Sequence, residues 1–153
     1  MKHIDFIQPT LEEWIAGFKF ETEVKVRFSE TDAFGHVNNV SHIIYFEQAR
    51  LDFFENAKVF ATFLEPNTPT LIVTADIHCH YIRQIYYTQR LKVKVKVGHV
   101  GSSSLDLQYA ILDQKTNELL AAARGAIVHV DKKTGKSVAW PELLKEALYN
   151  YIS

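Results

Sequence analysis

Four runs between residues 70 and 130 constrain this chain more than any other feature, because they repeat with a period of two or stay apolar throughout, and the connections between them are short. Leu71, Val73, Ala75, Ile77, Cys79 and Tyr81 fall on one side of residues 70 to 82. The run LKVKVKV from Leu91 to Val97 alternates without error, and Leu105, Leu107, Tyr109 and Ile111 continue the pattern. Alternation sends successive side chains to opposite faces of a strand. The connections at Arg83 to Gln89, Gly98 to Ser104 and Asp113 to Asn117 all fall short of the dozen or so residues that a parallel crossover needs. The four strands therefore pair antiparallel. Leu119 to Val130 is apolar on both faces, which predicts a strand covered on both sides, and DKKTGK forms the turn that ends it. Lys92, Lys94 and Lys96 read as an exposed face that discourages edge-to-edge pairing.

Upstream, Phe18, Phe20, Val24, Val26 and Phe28 alternate with charged residues, and predict a further half-buried strand over 18 to 28. Thr10 and Glu13 have capping-box spacing, and Gly17 can end the short helical turn expected over 11 to 16. Ala33 to Asn39 carry turn chemistry with Gly35 as the permissive residue, and a long helix is expected from Asn39 or Val40, capped by Asn38 or Asn39 and fading after Asn56. At 100° per residue, Val40, Ile43, Ile44, Leu51 and Phe54 share one face of that helix, with Ser41, Gln48, Asp52 and Glu55 opposite. Glu47 falls inside the apolar face. A lone charge desolvated there is costly, so Glu47 is expected to be paired, protonated or used. Pro66 and Pro69 mark a loop, and Pro141 opens a short C-terminal helix. The order of elements predicts an α+β domain over 1–153, with an antiparallel sheet covered on one face by the helix.

Length and a composition of 47% hydrophobic and 23% charged residues fit one soluble domain. The formal net charge of -1 gives no general basic field for nucleic acid or an anionic membrane, so a small-molecule ligand is the expected partner. A single cysteine, Cys79, excludes an intramolecular disulfide framework and suits a reducing compartment. No stretch approaches 18 uninterrupted apolar residues and no signal segment is visible, so a cytoplasmic protein is expected. His78 and His80 alternate with Cys79 and face away from it, so no metal site is expected there. Gly135, Lys136 and Ser137 lack the earlier glycine of a phosphate-binding loop.

The residues FSETDAFGHVNN from Phe28, followed by YFEQAR from Tyr45, closely resemble the 4-hydroxybenzoyl-coenzyme A thioesterase family of hotdog-fold acyl-CoA thioesterases. Residues 18–131 reproduce that family's layout, including the turn VGHVGSSSL and the ending VHVDKKTGK. The resemblance implies a five-stranded antiparallel sheet wrapped around a long central helix. It also implies homodimers or homotetramers that join sheets side by side, with active sites at the subunit junction, acyl-CoA as substrate and no cofactor or metal. The family's acidic turn residue maps onto Asp32, and its substrate loop onto Gly35, His36, Val37, Asn38 and Asn39. Glu47, 15 positions after Asp32, has the spacing of a second carboxylate found in family members, although an ion pair with Arg50 is an equal alternative. Arg90, Ser102, Ser103, Ser104 and Arg124 are implied contacts for the phosphates or pantetheine of CoA. The chain departs from the pattern at Arg83, Gln84, Ile85, Tyr86 and Tyr87, where many relatives carry a proline and a small or acidic turn.

The chemistry follows from these residue types. A thioester carbonyl becomes an oxyanion during acyl transfer, and N–H groups at a helix N-terminus can stabilise it. Asp32 either attacks the carbonyl directly or draws a proton from water. Two rival readings are a hotdog hydratase or dehydratase acting on an enoyl thioester, and a non-catalytic acyl-CoA or acyl-carrier binding module.

Overall fold

The computed structural model describes residues 2–152. Its elements are α1 (Leu11–Ala16), β1 (Phe20–Lys25), α2 (Asn39–Asn56), α3 (Ala61–Leu64), β2 (Thr70–Tyr81), β3 (Arg90–Val100), β4 (Ser104–Asp113), β5 (Leu119–Asp131) and α4 (Glu142–Tyr149). The five strands form one sheet in the order β1-β3-β4-β5-β2, and every pairing is antiparallel. The α+β sheet around a central helix is thus the arrangement the sequence led us to expect. Asn38 caps α2, its Oδ1 accepting from Ser41 N at 2.8 Å. Thr10 caps α1 and exchanges hydrogen bonds with Glu13.

The strand expected over 18–28 is shorter at both ends. Phe18 turns to the outer face of the sheet and meets Trp14 edge-on at 4.8 Å. Phe28 opens a 3-10 turn, Phe28–Glu30, and is 76% exposed. In β2 the alternation is broken by a bulge between Thr74 and Asp76. The extra residue shifts the phase, so Ile72 packs on the core before the bulge and Ile77 and Cys79 pack on it afterwards. Leu71 and Val73 therefore do not share a face with Ile77.

Helix α2 is rotated from the face read from its apolar pattern: of that face Phe54 is buried and Ile43 packs on the core, but Val40 is 60% and Ile44 53% exposed, and His42, Tyr45, Phe46, Ala49 and Phe53 are buried in their place. The helix is apolar on two sides, and the aromatic side won. Phe46 and Phe53 offer more area to bury, at roughly 25 cal/mol per Å², than the aliphatic stripe does. Glu47 travels with that outward stripe and is exposed, so its placement in the buried face is corrected.

The outer face of the sheet is covered as well. Ile4, Ile7, Trp14 and Phe18 pack on Ala110, Leu112, Leu119 and Ala122, so packing extends beyond residues 18–131. At the other end Trp140, Leu144 and Leu148 join the helix-side core. The lysine face of β3 is therefore not simply solvated. Lys96 is only 3% exposed; its ammonium donates to the Trp14 carbonyl at 3.0 Å and lies 4.8 Å from the Phe18 ring centroid. Lys94 is half-buried and paired with Glu21 at 2.7 Å. Burying several large side chains, at roughly 1.5–3 kcal/mol each, offsets an ammonium desolvation cost of several kcal/mol when donors remain engaged.

Burial lowers the Lys96 pKa from 10.5 to about 8. Above about 8 the folded chain releases this proton while the unfolded chain keeps it up to about 10.5, so stability from this site rises with pH across that window. Lys96→Met removes the titration and keeps the apolar stem. We expect the melting temperature of the parent to gain on that of the variant between about pH 8 and 10.5. A constant difference across the window would show that Lys96 titrates normally.

Candidate active site

The segment from β1 to α2 is built around Glu30. One of its carboxylate oxygens, Oε2, accepts from Arg27 N at 2.8 Å and from the Tyr45 hydroxyl at 2.5 Å. Its carbonyl accepts from Asn38 N at 2.9 Å. One residue thus ties the beginning of the loop, its end and the second turn of α2. Burial, and then the bond to Glu30, push the Tyr45 phenol well above its ordinary range, so it remains a donor.

Inside this frame Asp32 makes a tight turn. Asp32 N donates to the His36 carbonyl at 2.8 Å, and Gly35 N to the Asp32 carbonyl at 3.1 Å. Oδ1 accepts from Phe34 N at 2.8 Å and His36 N at 3.2 Å. Gly35 has φ 79°, the left-handed conformation that glycine adopts without strain. Val37 N donates to the Ile85 carbonyl at 2.7 Å, and His36 bridges Tyr86, so the loop is pinned to the connection between β2 and β3. The His36 ring meets Tyr86 edge-on at 5.1 Å.

Asp32, His36, Val37 and Asn39 border a cleft of ≈ 340 Å³ together with His42, Tyr81 and residues 82–85. Asn39 and Val40 occupy the first positions of α2, whose N–H groups have no intrahelical acceptor. The cleft therefore faces a carboxylate and the positive end of a helix at once. His42, 4% exposed, holds its Nδ1 3.0 Å from the Asn38 carbonyl and meets the Tyr81 ring edge-on at 4.9 Å. Burial lowers its pKa, against the opposing pull of that carbonyl, and keeps the imidazole neutral near pH 7. Tyr81 donates to the Asn39 carbonyl at 3.1 Å and closes the wall.

The other expected site residues are not gathered here. Glu47 lies eight residues beyond Asn39, roughly 12 Å along the helix, and makes no ion pair among the described residues, with Arg50 or otherwise. Arg50 instead faces Tyr109. Ser102, Ser103 and Ser104 lie past the far end of β3, roughly 30 Å from its start, where their carbonyls accept from Trp140 and His129. Arg124 is taken up by Asp106, with Asp76 at 4.0 Å. Of that group only Arg90, exposed at the start of β3, stands on the same end of the sheet as Asp32. Cys79 packs inward, burial pushes its thiol up to about 11, and His78 stacks on His80 at 5.0 Å on the other face.

His42, Tyr81 and Ile85 line this cleft and Glu30 braces its loop, and the sequence reading placed none of them at the site. Only His42 carried a signal, as a titratable side chain one turn after the cap on the apolar helix. The others act through contacts across the chain.

A family model, the thioesterase-like superfamily, matches residues 26–148. The chain is 38% identical over 148 residues to the uncharacterized protein YsmA of Bacillus subtilis (strain 168), covering 97% of each. It is 28% identical over 128 residues to the long-chain acyl-CoA thioesterase FadM of Escherichia coli (strain K12), covering 84% of this chain and 96% of FadM. The crystal structure of YbaW, a probable thioesterase from Escherichia coli, superposes with a TM-score of 0.75 at 26% identity, covering 87% of this chain and 98% of YbaW. With its wrapped sheet and its Asp32 loop at the head of the central helix, the chain belongs to the thioesterase-like superfamily of hotdog fold and is a thioester hydrolase.

Proposed function

We propose that the enzyme hydrolyses a small or medium acyl-CoA to the free acid and CoA, with Asp32 as the reacting carboxylate. The observation that carries this reading is the position of Asp32, held through Oδ1 by two loop amides at the mouth of a cleft that also receives the α2 N-terminus. A carbonyl bound there meets backbone donors where its oxygen gains negative charge. In one route the Asp32 carboxylate attacks the carbonyl carbon, the C–S bond breaks, and CoA leaves as a thiolate that takes a proton. Water then hydrolyses the mixed anhydride. In the other, Asp32 removes a proton from water as its oxygen attacks, and collapse of the tetrahedral intermediate expels the thiolate. Both consume one water and return Asp32 to its starting state. The cleft volume of ≈ 340 Å³ lies at the small end of ligand sites and supports a modest acyl group.

Assembly into a dimer, or a dimer of dimers, fits two uncovered surfaces. Strand β2 is a twelve-residue edge whose outer side is unpaired in the sheet order. Long free edges invite pairing with a second copy. The outward stripe of α2, with Val40, Ile44 and half-buried Leu51 around Glu47, is the second surface. In this reading Glu47 acts across the subunit junction, where it orients water or substrate for the neighbouring subunit.

Free-thiol release from a panel of acyl-CoA substrates tests the activity. Asp32→Asn is expected to keep the melting curve and lower turnover by at least about two orders of magnitude. Near-normal turnover would remove Asp32 from the chemistry. Glu47→Gln, at an exposed position, is expected to shift stability by less than about 0.5 kcal/mol and to lower turnover at least about tenfold. Unchanged turnover would rule out its role. Sedimentation at micromolar concentration should find no stable monomer, and an active folded monomer would contradict the shared site.

A further inference from the structure

One buried acceptor at the site has no donor in the fold. His42 takes the fourth position of α2 and lines the Asp32 cleft, and it is only 4% exposed. Its Nδ1 lies 3.0 Å from the Asn38 carbonyl. A carbonyl oxygen only accepts, so Nδ1 carries the hydrogen and donates it, and the neutral ring keeps a bare lone pair at Nε2. Burial favours that neutral ring, against the pull of the Asn38 carbonyl. Nε2 has no hydrogen bond among the described residues. Nor is it among the unpartnered side-chain atoms that the fold seals from solvent, so it opens on the cleft. The ring is held by Tyr81, which meets it edge-on at 4.9 Å and anchors its own hydroxyl on the Asn39 carbonyl.

Asp32 brings a second acceptor to the same cleft. Its Oδ1 is taken by the Phe34 and His36 amides, whereas Oδ2 has no hydrogen bond among the described residues. Two donors in the cleft wall are spent elsewhere, Arg83 on Glu118 and the Tyr81 hydroxyl on Asn39. Two acceptors from separate elements therefore border one cleft, and an acceptor left without a donor costs stability. A molecule that satisfies both must bring two donors of its own. Water does so with its two O–H groups, and its lone pairs then stay free. The oxyanion of an acyl-transfer intermediate cannot lie against Nε2, because both are acceptors; it belongs with the N–H groups at the start of α2.

We propose that His42 Nε2 and Asp32 Oδ2 hold the attacking water between them, so that water rather than the carboxylate attacks the thioester. The inference rests on the acyl-CoA reading and chooses between its two routes. Asp32 takes one proton from the water as the water oxygen bonds to the carbonyl carbon. The C–S bond then breaks, and the departing thiolate takes that proton from Asp32. The second O–H stays hydrogen-bonded to His42 during the attack and leaves with the acid, so His42 itself takes no proton. Its part is to fix one O–H, which turns the other toward Asp32 and a lone pair toward the carbonyl. A donor on the substrate is the alternative partner for Nε2.

Three measurements on the full chain test it. Nitrogen NMR of histidine-labelled protein reads the ring without substrate, and should find His42 neutral with its hydrogen on Nδ1; a hydrogen on Nε2 would overturn the proposal. With the acyl-CoA ester that the parent hydrolyses fastest, His42→Phe, checked by its melting curve, should lower kcat at least about tenfold and leave KM within about twofold. His42→Gln, whose amide oxygen accepts in place of Nε2, should lose no more than about threefold. A Gln variant slowed by tenfold or more, about as far as expected for Phe, would reduce His42 to packing, and a loss confined to KM would assign Nε2 to a donor on the substrate; either overturns the proposal. Turnover in heavy-oxygen water should leave no label in the Asp32 peptide on mass spectrometry. Label there would show that Asp32 attacks, and would overturn the proposal while the thiol release upholds the thioesterase reading. A parent that releases thiol from no acyl-CoA ester would reject that reading, and the role of the water with it.

Discussion

The end of this enzyme that carries the Asp32 cleft depends on one half-buried carboxylate that stands outside the cleft lining. Glu30 receives Tyr45 from the second turn of α2, the Arg27 amide from the end of β1 and, through its carbonyl, Asn38 at the helix cap. Hydrogen bonds to a charged acceptor contribute roughly 1.5–3 kcal/mol each, and two such ties together with the main-chain bond fix the path of the seven residues between Glu30 and Asn38. Within that path Asp32 spends Oδ1 on the turn itself. The other oxygen is thereby aimed, because the carboxylate cannot rotate without giving up two amide bonds. Positioning of this kind is what the proposed reaction between the Asp32 carboxylate and a bound carbonyl would draw on.

A sheet must cover both faces or solvate one, and this chain covers both by different means. The helix face takes α2 with its aromatics inward, and C-terminal Trp140, Leu144 and Leu148 complete it. On the outer face the first 18 residues supply Ile4, Ile7, Trp14 and Phe18, and trap Lys96 beneath them. Covering the outer face still leaves the β2 edge and the outward stripe of α2, with Val40 and Ile44, among the open apolar surfaces. Tyr81, at the end of β2, and Asn39, at the start of α2, both line the Asp32 cleft, so these two surfaces begin at its walls.

Periodicity made the sheet legible: β3 and β4 appear where alternation put them, β5 where the chain stays apolar on both faces, and short connections required their antiparallel pairing. Capping chemistry placed α1 and the start of α2. What failed was any inference that needed to know which of two apolar sides faces the core. The helical wheel of α2 contains an aliphatic stripe and an aromatic one, and no local rule ranks them; the sheet below selects Phe46 and Phe53. The bulge near Asp76 escaped for a similar reason. Its signal lies in the partner strand, where a Cβ at Gly125 would stand 2.8 Å from the Asp76 carbonyl, and where Ala126 N donates to the Asp76 side chain. Asp32 was legible because its turn is local. Glu30 was not, since its partners lie as far as 15 residues away.

The connection over residues 82–90 carries no periodicity, and it is also where the sequence departs from its family's pattern. In the fold it borders the Asp32 cleft through residues 82–85 and two further clefts through Tyr87 and residues 88–90. Its hold on the catalytic loop is through main chain, the Val37 amide on the Ile85 carbonyl and the bridge between His36 and Tyr86. A main-chain bond does not depend on which side chain the residue carries. Substitutions at Arg83 or Gln84 therefore change the wall of the Asp32 cleft, and substitutions at Tyr87 that of the neighbouring cleft, while leaving the loop pinned as before. Cleft shape and loop geometry are separated along a single segment, the first written in its side chains and the second in its backbone.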